Sequence, residues 1–193
     1  MEQNFEKTKN WLFSSGVLIL DENDTNCGGV YSFFDEKKNE FSFLYPEITG
    51  YFLSSLRFLY DIEKNPLILD LGEKISNWLI QLFDKHGGII QGIYSSVPQN
   101  LSYSFDTSIC AKGILDFYQI SKNEKNLDFG KKLVSELELF IENDGTFRPL
   151  KNLRSNQFEE SKKLWYKQKG CLHIKCAMPF FQLYQITKNK DLL

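Results

Sequence analysis

The sequence lacks a strong net charge, and that absence excludes two classes of binding partner. Its 193 residues carry 23 lysines and arginines against 25 aspartates and glutamates, which gives a formal net charge of −2. Arginine itself is scarce and occurs only at Arg57, Arg148 and Arg154. A chain so close to neutrality offers no electrostatic basis for binding nucleic acid or an anionic membrane.

Long apolar runs are absent as well. No stretch approaches the roughly 18 apolar residues that indicate a transmembrane helix. The first ten residues are polar and of mixed charge, which does not fit the basic and apolar regions of a secretory signal. These absences predict a cytoplasmic protein. The length predicts a single domain over residues 1–193.

The cysteines form no CxxC pair, and they occur at Cys27, Cys110, Cys171 and Cys176. Scattered through a helical pattern, they predict buried free thiols. Cys171-x-His173 followed by Cys176 is not a standard zinc spacing. The Gly-Gly pairs at 28–29 and 87–88 are not followed by Lys-Ser or Lys-Thr, as a phosphate-binding loop would be. We therefore predict neither a metal site nor a cofactor.

A repeat is what the sequence does contain. Residues 60–89 and 118–147 are the same unit written twice, 58 positions apart. Tyr60 returns as Tyr118, and the pair Lys64-Asn65 returns as Lys122-Asn123. A fixed period of this kind indicates a repeat architecture of helical hairpins.

Helical periodicity divides the chain into alternating amphipathic and more uniformly apolar segments. Amphipathic helices are predicted at residues 6–15, at residues 67–83, and in the segment 58 positions later that repeats residues 67–83. More uniformly apolar helices are predicted at residues 46–62, 105–120 and 170–186. Helices that are apolar on several sides are buried, so these should be the inner ones. The prediction is an all-α fold of about six main helices. Long aromatic loops at 31–45, 90–104 and 150–169 lead into the inner helices and predict the binding face.

Three strings resemble a known superfamily. They are Leu-Tyr-Pro-Glu-Ile-Thr-Gly-Tyr at 44–51, Tyr-Ser-Phe-Asp-Thr at 103–107, and the segment 165–175. They are similar to the six-hairpin (α/α) toroid, glycosidase-like proteins. The resemblance points to proteins assigned to exopolysaccharide biosynthesis and, more distantly, to unsaturated glucuronyl hydrolases and related lyases. It covers nearly the whole chain.

A full toroid of this class implies twelve helices, whereas this sequence predicts six. The resemblance therefore implies the N-terminal half of a toroid, a partial (α/α)6 fold. An open half would expose apolar helix faces. We expect a truncated gene, one piece of a split protein that needs a complementary half-chain, or a half that forms a homodimer.

Two acids stand at corresponding places in the first turns of successive inner helices. Glu47 and Asp106 lie 59 residues apart, so regular stacking would point both carboxyl groups into one mouth of the bundle. A pair of carboxyl groups flanking the bond is what glycoside hydrolysis requires. The resemblance implies the same, since paired acids at the starts of inner helices carry the active site of the glucuronyl hydrolases, although Glu47 replaces the first aspartate there. The competing interpretation is a favourable interaction with the helix dipole alone.

Aromatic residues accompany both acids. Tyr45 and Tyr51 flank Glu47, and Tyr103 precedes Asp106. Trp165 and Tyr166 are predicted to provide further stacking surfaces. Carboxyl groups among aromatic rings suit a sugar site, because the rings stack on apolar sugar faces while the acids bind hydroxyl groups.

Three more polar residues complete the predicted site. Lys169 could pair with a uronate, and His173 could act as acid or base because its ordinary pKa lies near 6.5. Lys175 is predicted to fall in an inner helix, where it would need Glu47 or Asp106 as a partner. The alternative for this segment is a solvated loop in which His173 bonds to the backbone.

These observations support two classes of function. The first is a carbohydrate-active or carbohydrate-binding domain that acts on an oligosaccharide or polysaccharide, possibly an acidic one, in surface polysaccharide metabolism. Its activity would be that of a glycoside hydrolase, a lyase or a sugar epimerase. The second is a non-catalytic helical-repeat scaffold for a protein partner, and an inactive remnant of a sugar epimerase or hydrolase is a further alternative. Six helices support sugar recognition better than turnover, because a toroid site draws on several hairpins.

Overall fold

Six main helices form the body of the part of the chain that the structure describes, in agreement with the number predicted. The computed structural model describes residues 2–93 and 99–192, with the side chains of residues 2, 171 and 172 excepted. The main helices are α1 Glu2–Ser14, α2 Pro46–Glu63, α3 Leu67–His86, α4 Ser104–Ser121, α5 Glu124–Glu138 and α6 Met178–Thr187. Shorter 3-10 helices cover Trp165–Lys167, Cys171–Ala177 and Lys190–Leu192.

The predicted inner position of α4 is confirmed. Helix α4 packs against α2 on one side and α6 on the other, and it also contacts α3 and α5. Twelve of its 18 residues are buried, as expected of a helix surrounded by others. Helices α3 and α5 are amphipathic and bury one face each.

The sequence repeat has a direct structural counterpart at the ends of the inner helices. Helices α2, α4 and α6 each end at a lysine in the left-handed conformation, and these residues are Lys64 (φ 52°), Lys122 (φ 54°) and Lys188 (φ 60°). Each lysine N–H donates to the carbonyl oxygen of the tyrosine four residues earlier. This bond closes the helix end in the manner of an αL cap.

Short strands within the long loops were not predicted. Strands β1 Phe34–Asp35 and β2 Glu40–Phe41 form a small hairpin. Strand β4 Leu150–Asn152 pairs antiparallel with both β3 Leu101–Tyr103 and β5 Gln157–Glu159. This three-stranded sheet ties the loop before α4 to the loop before α6, so that both loops lie at the same end of the bundle.

Three sequence predictions need correction. The third inner helix does not run through residues 170–186 as an α-helix. A 3-10 helix covers Cys171–Ala177, and α6 starts only at Met178. Pro179 lies in the first turn of α6, where a proline costs no hydrogen bond. The repeat also predicts that the second outer helix runs to a glycine turn at Gly145, but α5 ends at Glu138 and Gly145 (φ 81°) lies in a separate turn. The amphipathic pattern of residues 6–15 predicts a core position for Trp11, which is instead exposed on α1.

Buried apolar side chains form one large cluster and one small one. The large cluster joins α2, α3 and α4, and the small cluster, Leu115, Leu127, Val134 and Leu183, joins α4, α5 and α6. No helix among the described residues is both long enough and apolar enough to cross a membrane.

Candidate active site

A cavity of about 440 Å³ opens at the end of the bundle where the inner helices begin. Residues from α2, β3, α4 and the segment before α6 line it: Tyr45, Glu47, Gln91, Tyr103, Phe105, Asp106, Trp165, Tyr166 and His173. Seven of the ten residues proposed from the sequence are among them. The shared helical start of Glu47 and Asp106 is what brings the two acids to one opening.

Asp106 is the most unusual residue of the cavity. Only 4% of its surface is exposed, and it accepts a hydrogen bond from the Tyr45 side chain. Its Oδ2 atom is buried without a hydrogen-bond partner among the described residues. Burial raises the pKa of the Asp106 carboxyl well above its ordinary 3.8, and the nearby charge of Glu47 raises it further. Asp106 therefore holds a proton that a more exposed aspartate would release.

Glu47 is the second acid and occupies the first turn of α2. Its side chain is half-buried, and no hydrogen bond or ion pair joins it to another described residue. Its charge acts on Asp106, and it also contributes to the raised pKa of Tyr51, for which partial burial is the larger cause. The two carboxyl groups thus differ in environment, a pattern by which enzymes separate an acid from a base.

His173 lines the cavity, but protein atoms occupy both of its ring nitrogens. The side chain is 2% exposed. Nε2 lies 2.9 Å from the carbonyl oxygen of Gln168, and Nδ1 lies 3.4 Å from Oγ of Ser104. A carbonyl oxygen only accepts, so Nε2 must carry hydrogen. These contacts fasten the segment before α6 to the first residue of α4 and favour a positioning role over the acid-base role expected from the sequence.

Cys176 lies next to the same serine. It is fully buried, and burial raises the pKa of its thiol to about 11, opposed by hydrogen bonds with Ser108 and Ser104. A thiol in this state is not a nucleophile at neutral pH. Cys27, Cys110 and Cys176 are free cysteines, with Cys27 only partly buried, whereas the side chain of Cys171 lies outside the described set.

Aromatic rings form one wall of the cavity. Trp165 and Tyr166 meet edge to face at a centroid distance of 5.8 Å, and Tyr166 lies 6.3 Å from Tyr103. Trp165 is 68% exposed. An exposed indole at the mouth of a cavity presents an apolar face that a ligand can cover.

Three predicted site residues lie elsewhere. Tyr51 lines a different groove, between α1 and α2. Lys169 pairs with Glu142 at 2.7 Å, a partner that the sequence did not indicate. Lys175 is exposed on the 3-10 helix, and its ammonium lies 5.7 Å from the centroid of the Phe105 ring instead of pairing with Glu47 or Asp106. As a result, neither lysine belongs to the cavity lining.

Two cavity residues, Gln91 and Phe105, were not among the predicted site residues. Phe105 could have been found, because it sits beside Asp106 at the start of an inner helix. Gln91 carried no signal in the sequence, since its place depends on a backbone hydrogen bond from its N–H to Leu101 at 3.1 Å. The described residues contain no group of three or more histidine, cysteine, aspartate or glutamate side chains arranged to hold a metal ion.

The fold is that of half of a six-hairpin (α/α) toroid of the glycosidase-like type. No protein-family profile matches the sequence, and no curated protein matches it significantly. The likeness lies in solved structures, at sequence identities that establish the fold alone.

Two of these structures cover the chain almost completely. A family 76 α-mannanase from Bacteroides thetaiotaomicron superposes with a TM-score of 0.74 at 14% identity, covering 99% of this chain and 52% of its own. Cellobiose 2-epimerase from Bacillus thermoamylovorans gives a TM-score of 0.74 at 14% identity, with 100% and 53% coverage. An inactive α-1,6-mannanase variant from Salegentibacter sp., in complex with α-1,6-mannotriose, gives 0.60 at 14% identity, with 77% and 43% coverage. The chain spans about half the length of the solved structures that it matches.

Proposed function

We propose that the cavity at the start of the inner helices binds an oligosaccharide, with Asp106 as the proton donor and Glu47 as the accompanying carboxylate. The observation that carries the proposal is the buried Asp106 carboxyl, which faces an aromatic-walled cavity with Oδ2 unpartnered. A carboxyl kept protonated by burial can deliver its proton to a glycosidic oxygen or to a sugar carbon. The reaction would then be that of a hydrolase, a lyase or an epimerase.

The lining favours a sugar without negative charge. The sequence had suggested an acidic sugar because Lys169 could pair with a uronate. With Lys169 held by Glu142 and no lysine or arginine among the described lining residues, a uronate would meet the charge of Glu47 instead of a counter-ion. A role in surface polysaccharide metabolism rests on the sequence resemblance and remains a prediction. A cytoplasmic location rests on the signal-like and long apolar segments that the sequence lacks, and it too remains a prediction.

One acid alone is not sufficient for turnover. The Salegentibacter mannanase is inactive when two adjacent aspartates are replaced. This sequence contains no Asp-Asp pair, so any catalysis by Asp106 must draw on Glu47 or on residues of another half. We therefore assign recognition to this chain and turnover to the completed toroid.

Titration calorimetry with neutral gluco- and manno-oligosaccharides tests the proposal. Glu47→Gln, Asp106→Asn and Trp165→Ala should each weaken binding, Trp165→Ala by about tenfold if one stacking contact of roughly 1.4 kcal/mol is lost. Asp128→Asn, on the exposed face of α5, is the matched control and should bind like the wild type. The carbohydrate site is refuted if no oligosaccharide binds or if all three variants behave as the control, and the scaffold hypothesis would then take its place.

We also propose that a second copy of this chain completes the toroid. The two edges of the half carry exposed rings, Phe58 on α2 (61% exposed) and Phe181 on α6 (59% exposed). Each edge also has a cavity of about 390 Å³, lined chiefly by apolar residues. The chain covers 52% and 53% of two matched structures, so two copies would supply the twelve helices of a full toroid. A two-fold axis would place each edge against the opposite edge of the partner.

Sedimentation at micromolar concentration tests this assembly. We expect a dimer for the wild type, and monomers for Phe58→Asp and Phe181→Asp, because a buried charge at either edge opposes closure. Leu20→Asp, at an exposed loop position away from both edges, should leave the dimer intact. A monomeric wild type would overturn the homodimer.

A further inference from the structure

The carboxyl groups of the cavity are not balanced by a cation. Glu47 and Asp106 line it, and none of the described lining residues is a lysine or arginine. The two ring nitrogens of His173 are hydrogen-bonded to protein atoms. No lysine or arginine among the described lining residues therefore neutralises the charge of Glu47 at this opening.

Both acids have hydrogen-bonding capacity that the protein leaves unused. Oδ2 of the almost fully buried Asp106 has no partner among the described residues, and Glu47 has neither a hydrogen bond nor an ion pair with any of them. A sugar hydroxyl could donate to Glu47 and accept from the protonated Asp106. A protonated amine would donate to Glu47 as well and would also neutralise its charge, and hydrogen bonds that involve a charged group are roughly twice as strong as neutral ones.

The aromatic wall also favours a positively charged ligand. Five of the nine lining residues carry aromatic rings, and these are Tyr45, Tyr103, Phe105, Trp165 and Tyr166. A ligand cation within about 6 Å of a ring centroid is attracted by the ring quadrupole, and desolvated sites of this type recognise amines. The lining thus combines carboxyl groups with π faces, and both features attract a positive charge.

We propose that the preferred ligand of this cavity is an oligosaccharide that carries a free, protonated amino group, with Glu47 as the counter-ion that selects it. The inference rests on the proposed carbohydrate site and names its substrate class. Neutral sugars are bound more weakly at the same place, and uronates are repelled.

The cations nearest to the cavity are compatible with this selection. Lys175 stands at 5.7 Å from the Phe105 ring, but it is exposed, where solvent and salt screen its charge. Lys169 is not among the lining residues, and it pairs at 2.7 Å with Glu142, which also pairs with Arg148. Neither removes the negative charge that the ligand amine meets at Glu47.

Three oligosaccharides of equal length and linkage provide the test: β-1,4-linked glucosamine, its N-acetylated form, and the glucose counterpart. Titration calorimetry at neutral pH and low salt should give the free amine an affinity at least about tenfold above both neutral forms. Added salt should reduce this advantage. Glu47→Gln should abolish it while the neutral forms still bind, and the matched control Asp61→Asn, at the opposite end of α2, should keep it.

The possible failures are distinguishable. Equal affinity for the three sugars overturns the amine selection and leaves the carbohydrate site standing. An amine advantage that persists in Glu47→Gln also overturns it, because attraction to the acidic protein as a whole would then suffice. Absence of binding for all three sugars, together with neutral manno-oligosaccharides, overturns both proposals.

Discussion

Gly50 of α2 and Gly113 of α4 lie backbone against backbone. The contact is so close that a Cβ atom added at Gly113 would overlap the carbonyl oxygen of Gly50. A Cβ added at Gly50 would in turn lie 2.7 Å from the carbonyl oxygen of Ile109. This contact sets the distance between the two inner helices that carry the acids. Glu47 precedes Gly50 by one helical turn, and Asp106 precedes Gly113 by two.

Replacement of Gly113 by alanine should destabilise the protein in spite of its helical setting. An alanine gains about 1 kcal/mol over glycine in a helix interior, but forcing atoms into a packed contact costs about 1–3 kcal/mol, and here the obstacle is rigid backbone. We expect a net loss of about 1–2 kcal/mol in the free energy of unfolding, measured with urea. Gly170→Ala is the control, since a Cβ there meets open space in extended backbone. A stabilised Gly113→Ala would contradict the close approach.

Asp116 connects all three inner helices. It accepts hydrogen bonds from Ser54 of α2 at 2.7 Å, Arg57 of α2 at 3.0 Å and Gln182 of α6 at 2.6 Å, and it pairs with Lys112 of its own helix. The carboxylate is buried, whereas the two cations reach solvent. Its removal would leave two cations without their shared counter-ion.

Asp116→Ala should therefore lower the free energy of unfolding by about 2 kcal/mol, less than the 3–5 kcal/mol expected of a fully buried pair. Asp61→Asn, at an exposed position beside Arg57, should change stability by less than about 0.5 kcal/mol. Thermal or urea unfolding measures both. Equal effects of the two substitutions would mean that the Asp116 network does not hold the inner helices together.

Periodicity could predict the helices because it is a local property. The repeat of Tyr60 and Lys64 as Tyr118 and Lys122 marks helix ends that the structure reproduces in the left-handed lysines. Strand β3 could not be predicted in the same way. It has three residues, and Leu101 finds its partner at Asn152, far along the chain, so no local pattern identifies it.

In the candidate site, too, local sequence patterns predicted some residues, whereas tertiary contacts determined the others. Glu47 and Asp106 start helices, and helix starts can be read from sequence, so their convergence followed from the repeat. The predicted place of Lys175 depended on one continuous helix from residue 170, which instead becomes α-helical only at Met178. The partner of Lys169 is Glu142, after α5. That pairing is a tertiary contact, and no spacing in the sequence indicates it.

Substitution of Lys169 tests whether this lysine binds the sugar, as the sequence predicts, or lies outside the cavity, as the structure indicates. Because its ammonium pairs with Glu142 outside the cavity, Lys169→Ala should change the affinity for a neutral oligosaccharide by less than about twofold, whereas Trp165→Ala should lower it about tenfold. Fluorescence or calorimetric titration compares the two. A large loss of affinity confined to uronate-containing sugars would return Lys169 to the binding site.

The raised pKa of Asp106 makes a prediction about stability against pH. Below about pH 3.8, the ordinary pKa of the group, both the folded and the unfolded protein hold this proton. Above it the unfolded chain releases the proton while buried Asp106 keeps it, so the folded state binds more protons. The contribution of Asp106 to stability is thus present at low pH and is lost as pH rises towards the folded pKa, with a slope of up to about 1.4 kcal/mol per pH unit.

Asp106→Asn removes this dependence while its side-chain oxygen can still accept the hydrogen bond from Tyr45. The variant should therefore gain stability relative to the wild type as the pH is raised from acid to neutral, in urea unfolding followed across that range. Asp128→Asn, exposed on α5, is the control and should stay within about 0.5 kcal/mol of the wild type throughout. A stability difference that shrinks or reverses with rising pH would mean that Asp106 is ionised in the folded protein, and Asp106 could then not be the proton donor of the site.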